Sequence, residues 1–216
     1  MAVCRFVVVR HGETMANRTG LLQGQTECPL NENGRAQAAA AGERLKNMHF
    51  DAAYASTLSR AWETAEIITA HHPDIELQKA EALREWHLGD MENRYQPELL
   101  ELYPAEMSAF RREHPDISIP NGESLMDVQN RVTAFLEELA DSNPGKTILL
   151  VTHGGVLQRI FRMAAGITAP ENYVSLTMNA SISTVWRHVE DRAWQLVSWN
   201  STDHLCSLPK HETLVY

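Results

Sequence analysis

Two apolar runs in this chain are continuous rather than alternating: Phe6-Val7-Val8-Val9 and Ile148-Leu149-Leu150-Val151. Unbroken aliphatic, largely β-branched runs of this length predict strands buried on both faces, as in a parallel sheet covered by helices. Each run ends at a histidine followed by glycine, Arg10-His11-Gly12 and Thr152-His153-Gly154-Gly155. Elsewhere the apolar spacing is helical. Behind Asn31 as N-cap, an alanine-rich segment runs to Leu45. Behind Ser56 as cap, Leu58, Ala61, Ala65 and Ile68 recur along one face. Leu125, Val128, Val132, Phe135, Leu136 and Leu139 form the clearest stripe, and Val156, Leu157, Ile160, Phe161 and Ala164 follow the second histidine. Shorter strands are expected at 51–55 and 75–77, with an antiparallel pair at 181–188 and 194–200.

The polar stretches between these elements are expected to be loops. Residues 15–29 form one such loop at the carboxyl end of the first strand, and Asn17, Arg18 and Gln23 there are candidate donors to an anion. His71-His72-Pro73 ends a helix, and both histidines are expected at the surface. Prolines 97, 104 and 115 break residues 96–119 into short helices and turns outside the main sheet, where Arg111 and Arg112 either form a solvated face or meet an anionic substrate. Residues 201–216 carry little periodicity and are expected to be poorly ordered.

Composition narrows the field. A formal net charge of −9 argues against a nucleic-acid surface, which needs clustered cations, but allows an anionic small molecule bound where positive charge is gathered. The three cysteines have neither metal-site nor disulfide spacing, which points to a reducing compartment. No apolar run approaches the ~18 residues that span a bilayer, and no leader pattern opens the chain. The expectation is a soluble, cytoplasmic protein.

The chemistry is expected where the strands end, because ligands of open α/β sheets sit outside the strands' carboxyl ends. If the two histidine strands are neighbours, His11 and His153 meet. Arg10, Arg60 and one protonated histidine would then make a compact cationic site matched to phosphoryl oxygens, leaving a neutral histidine to attack phosphorus. Arg60 taken alone reads rather as an ordinary solvated residue paired with Glu63 one turn on. Glu85, between Leu83, Trp86 and Leu88, is either a poorly solvated proton donor or one half of a salt bridge with Arg84 or Arg94. No carboxylate cluster or His-rich motif suggests a metal, and no cofactor is expected.

Arg10-His11-Gly12-Glu13-Thr14 resembles the signature of the histidine phosphatase superfamily, also called the phosphoglycerate mutase-like family. The resemblance extends through Pro29-Leu30, Ser56-Thr57-Leu58-Ser59-Arg60-Ala61, Arg84-Glu85, Gly122-Glu123-Ser124 and Val151-Thr152-His153-Gly154. It implies one domain over 1–216, a three-layer α/β/α sandwich with a mostly parallel sheet and a small helical cap at about 90–122. It further implies His11 as nucleophile, Glu85 as proton donor, and Arg10, Arg60 and His153 around the phosphoryl group, with Asn17 and Gln23 lining the pocket. The implied activity is that of a phosphomonoesterase acting on a small phosphorylated metabolite through a phosphohistidine. The alternatives are a phosphoglycerate mutase and a non-catalytic phospho-ligand binding domain. A homodimer joined along sheet edges is compatible with such a fold. Two departures from the family pattern concern the pocket: Met91-Glu92-Asn93 stands where an aromatic residue and Glu-Gly are frequent, and Glu27 where Asp is frequent.

Overall fold

In the computed structural model, residues 2–107, 118–167 and 175–209 are described. The chain runs through β1 (Val3–Arg10), α1 (Met15–Thr19), β2 (Leu21–Leu22), α2 (Glu32–Leu45), β3 (Ala52–Ala55), α3 (Ser59–Thr69) and β4 (Leu77–Lys79). It continues through β5 (Arg94–Tyr95), α4 (Gln96–Leu102), α5 (Leu125–Ser142), β6 (Thr147–Thr152), α6 (Gly154–Ala164), β7 (Ile182–His188) and β8 (Trp194–Ser201). Six strands form one sheet in the order β4-β3-β6-β1-β7-β8. The first four are parallel; β7 runs antiparallel to β1, and β8 antiparallel to β7. Strands β2 and β5 pair separately.

The continuous apolar runs make sense in this sheet because successive side chains point to opposite faces. Val7, Val9, Leu149 and Val151 face one way, against Ala41 and Leu45 of α2 and Ala61, Ala65 and Ile68 of α3. Cys4, Phe6, Val8, Ile148 and Leu150 face the other way, against Val128, Val132 and Leu136 of α5 and Val156, Leu157 and Ile160 of α6. The result is three layers. The α2 and α3 layer is packed with alanines, which lets those helices lie close to the sheet; the opposite layer uses bulkier residues.

Several local expectations are revised. The 15–29 loop contains α1, because the Thr14 side chain accepts from the Asn17 N–H, the Asn17 side chain answers the Thr14 N–H, and Gly20 closes the turn at φ 77°. Strand β4 lies at Leu77–Lys79, two residues beyond 75–77, where it pairs in parallel with Ala53–Ala55. Ser56 does not cap α3: the helix begins at Ser59, and the Glu27 carboxylate accepts the Ser59 N–H at 3.0 Å. His71 is exposed, but His72 is buried edge-on against Phe50 at 5.1 Å, because the chain turns inward after α3. The segment after β8 is not loose over its described part: Leu205 is buried, and the His204 ring lies 3.0 Å from the Ala180 carbonyl. Residues 210–216 lie outside the described residues, as do 108–117, with Arg111 and Arg112.

Candidate active site

The register of β1 and β6 pairs Arg10 with Thr152, so His11 and His153 leave the sheet side by side. Their ring centroids are 5.0 Å apart. Both histidines are almost completely buried. A cleft of about 500 Å³ including its open mouth lies at this carboxyl edge, with His11, Arg10, Arg60, Glu85, Asn17 and Gln23 in its walls. The seven residues that the resemblance assigns to the site therefore lie in or beside one cleft, with His153 packed beside His11 rather than in the wall; Arg18, the other candidate donor, is exposed on α1 and does not line it.

The His11 ring is held by its own loop. Nδ1 lies 2.8 Å from the Gly12 carbonyl. A carbonyl can only accept, so Nδ1 carries the proton and Nε2 presents its lone pair. Gly12 in turn donates its N–H to the Thr64 hydroxyl at 3.1 Å. A Cβ on Gly12 would collide with the Gly34 carbonyl of α2, so the absent side chain lets the loop lie against that helix. The carbonyl of His11 accepts from Ala180 N–H at 3.1 Å and from Asn179 Nδ2 at 3.0 Å. His153 is tied by the other nitrogen, its Nε2 lying 2.7 Å from the Ser56 hydroxyl.

The two guanidiniums have neutral partners. Arg60 is fully buried and donates to the carbonyls of Thr26 at 2.9 Å and Gly24 at 2.7 Å, while Arg10 donates to the Thr177 carbonyl. Glu63 pairs with Arg35, so the surface pairing considered for Arg60 is not formed. Among the described residues neither Arg10 nor Arg60 makes an ion pair. Buried positive charge without a counterion is costly, and an entering anion relieves that cost. The same charges act on the histidines. Burial first, then the Arg60 and Arg10 guanidiniums, hold the His11 imidazole well below its ordinary value, and His153 is held down by burial, Arg60, His11 and Arg10. The expectation of one protonated histidine is thus corrected: without an anion both rings are neutral, because two nearby cations oppose a third.

Glu85 is placed by backbone. Its carboxylate accepts from Trp86 N–H at 2.9 Å and from Gly155 N–H, in the first turn of α6, at 3.1 Å. The salt bridges considered for it are not formed: Arg84 pairs with Glu81 and Arg94 with Glu98. Gly155 is needed here because a Cβ would strike the Glu85 carboxylate. The loop bearing Glu85 is braced by Arg131, which donates to the Ala82 carbonyl at 2.8 Å and the Glu85 carbonyl at 3.0 Å, while its guanidinium grips Glu123. Gln25 Nε2 also holds the Glu85 carbonyl at 2.9 Å. Asn17 Oδ1 is occupied by the Thr14 N–H and Asn179 Nδ2, leaving its Nδ2 for an anion. Gln23 Oε1 lies 3.0 Å from the Thr14 hydroxyl, with Nε2 likewise left over.

Four supporting residues were not identified from the sequence as parts of the site: Ser56, Asn179, Gln25 and Arg131. Asn179 lies 168 positions from His11 and gives no local signal. Among the described residues no cluster of histidine, cysteine, aspartate or glutamate is arranged to hold a metal.

The arrangement has a match among known proteins. The pattern defining the histidine phosphatase superfamily (branch 1) covers residues 6–202. The chain belongs to the histidine phosphatase superfamily. It is 38% identical over 208 residues to a metal-independent phosphoserine phosphatase of Arabidopsis thaliana, covering 95% of this chain and 85% of that protein. The solved structure of Bacillus stearothermophilus YhfR superposes with a TM-score of 0.85 at 30% identity, covering 94% of this chain and 99% of that one. A phosphoserine phosphatase variant from Entamoeba histolytica, solved with phosphoserine, gives a TM-score of 0.83 at 28% identity, over 94% of this chain and 99% of that one. With these relatives, the chain is a phosphomonoesterase of the superfamily.

Both departures from the family pattern have a local explanation. Asn93, where the superfamily often has glycine, adopts φ 59°, a left-handed conformation that asparagine tolerates better than most residues. Its N–H donates to the Leu22 carbonyl at 2.8 Å. Glu92 accepts from the N–H groups of Gln25 at 2.8 Å and Leu88 at 3.0 Å, which fixes the loop whose carbonyls receive Arg60. Glu27, in place of aspartate, reaches the first N–H of α3.

Proposed function

We propose that this phosphatase hydrolyses small phosphate monoesters in two displacements at His11. The observation that carries the reading is a neutral imidazole with a free Nε2, packed against a second imidazole and two guanidiniums that have no carboxylate partner. In the first step Nε2 of His11 attacks phosphorus, the P–O ester bond breaks, and Glu85 gives its proton to the departing alkoxide. In the second, Glu85 takes a proton from water, whose oxygen attacks phosphorus and releases His11 and inorganic phosphate. Arg10 and Arg60 supply the charge that spreads over the phosphoryl oxygens in the loose transition state, with amides from Asn17 and Gln23 and an imidazole N–H from His153. Positive charge from the arginines does the work a metal does in other phosphatases.

The described part of the segment at about 90–122, which leaves out 108–117, forms part of a cap over a single catalytic domain. In support, β5 pairs with β2 beside the cleft wall formed by Leu21 and Leu22. Phosphoserine is the first substrate to test, since two similar proteins carry that name. No helix among the described residues is long and apolar enough to cross a membrane, and the three cysteines are free, which supports a cytoplasmic setting.

The test is phosphate release from phosphoserine and from a nitrophenyl phosphate in the presence of chelator, with alkaline denaturing quenching to trap the phosphorylated enzyme. Turnover with an acid-labile, base-stable phosphoryl group on His11 is expected. Release that stops on chelation, or trapping that persists in His11→Ala, overturns the reading.

A further inference from the structure

Ser56 follows β3 directly and is fully buried beside His153. Its backbone is anchored, the N–H donating to the Val151 carbonyl at 3.0 Å. Its Oγ has two partners among the described residues: the Leu58 N–H at 3.3 Å, which can only donate, and His153 Nε2 at 2.7 Å. The hydroxyl proton therefore has a single acceptor within reach, the lone pair of Nε2. Reversing that bond would bury a hydroxyl hydrogen with no acceptor, a cost large enough to select one arrangement. If Nε2 accepts, the imidazole proton of His153 sits on Nδ1. That atom is buried and has no partner among the described residues.

We propose that Ser56 is a positioning residue that locks His153 as its Nδ1–H tautomer, so that a buried, otherwise unpartnered N–H is kept for a phosphoryl oxygen. The proposal rests on the placement of His153 beside the phosphoryl group argued above. It explains why His153 turns Nε2 inward whereas His11 turns Nδ1 to its own loop. Two rings 5.0 Å apart thus carry opposite tautomers: one offers a lone pair to phosphorus, the other a hydrogen to oxygen. A histidine free to exchange tautomers would present a lone pair to the anion for part of the time, and repel it.

The tautomer can be read directly. In full-length, nitrogen-15-labelled protein near neutral pH, long-range proton–nitrogen spectra should show His153 with a protonated Nδ1 and a bare Nε2, the assignment made by loss of the signals in His153→Gln. In Ser56→Ala the signals should move to a mixed or Nε2–H form, and affinity for orthovanadate, the phosphate-like probe, should fall about 10-fold to 100-fold, the range expected when a buried partner is removed. Ser56→Thr, which keeps the hydroxyl, should restore both, and Ser56→Cys, a weaker donor of similar size, provides the comparison if the alanine variant does not fold. An Nε2–H signal in the unaltered protein, or an unchanged tautomer in Ser56→Ala, overturns the proposal. Full vanadate affinity in His153→Gln instead removes His153 from the phosphoryl site, and with it the reading on which the proposal stands.

Discussion

His11 and His153 occupy equivalent places at the ends of neighbouring parallel strands, each followed by glycine, yet their surroundings differ in kind. Beyond His11 the chain turns against a helix backbone, and Gly12 is there so that the loop and Gly34 can touch. Beyond His153 a helix begins at once, and Gly155 is there so that the Glu85 carboxylate can reach that residue's own N–H in the helix's first turn. The first junction is a rigid mount for one ring. The second gathers a ring, a carboxylate and a helix N-terminus. The lesson is that a strand–histidine–glycine signature fixes where a ring emerges but not what it does; that is decided by which nitrogen the surroundings occupy.

The contrast is broken most directly by removing each ring. His11→Ala should lose at least about 10⁴-fold in kcat, as expected when a covalent nucleophile is deleted, whereas His153→Ala should lose on the order of 10² to 10³-fold, as for one electrostatic contact. Equal losses, measured by phosphate release, would mean that the two junctions are not specialised. Next in size is Glu85→Gln, which should cost about 10² to 10⁴-fold on an alkyl phosphate but far less on a nitrophenyl phosphate, whose leaving group needs little protonation. Indifference to the leaving group would take the proton-donor role from Glu85.

The glycines sharpen the comparison further. Gly155→Ala should follow Glu85→Gln in its leaving-group dependence while unfolding near the temperature of the unaltered protein, because the displaced group is one side chain. Gly12→Ala should cost stability, on the order of 1 to 3 kcal/mol, because backbone must move to admit the methyl. Denaturant unfolding separates the two.

The last contrast is in the pH dependence of stability. His11 and His153 are held below their ordinary values in the folded protein, so below about pH 6.5 the unfolded chain takes up protons that the native state refuses. Stability should be level above that pH and fall as the solution is acidified, each ring adding up to about 1.4 kcal/mol per pH unit. Calorimetry from pH 8 to pH 5 checks the sign, and a melting temperature that rises on acidification contradicts it.

Much of this was legible because it is local. The two apolar runs, the Asn31 cap of α2 and the stripe of α5 predict their elements to within three residues, since burial on both faces or on one face leaves a direct trace in the residue pattern. The pairing of β1 with β6 was conditional in the sequence and is realised. Other features depended on distant partners. Ser56 read as a helix cap because small hydroxyl residues favour that place; its actual partner lies 97 positions on. Arg60, judged by its own stretch, read rather as a solvated residue; its burial and its carbonyl partners depend on the loop after β2. The neutral state of His153 was missed because charge summed along a sequence does not reveal that two cations flank the ring.

The reversal of direction at β7 has a consequence for how the molecule comes into being. β1 is synthesised well before its neighbours on either side, since β6 and β7 lie more than 130 residues downstream. The loop entering β7 supplies the N–H groups that hold the carbonyl of His11. Until about residue 152 has been synthesised, the strand that leads to His11 has neither of its sheet neighbours, and its second edge waits until about residue 188. Such distant pairings slow folding, so β1, apolar on both faces and long without a partner, is exposed to misassociation during synthesis.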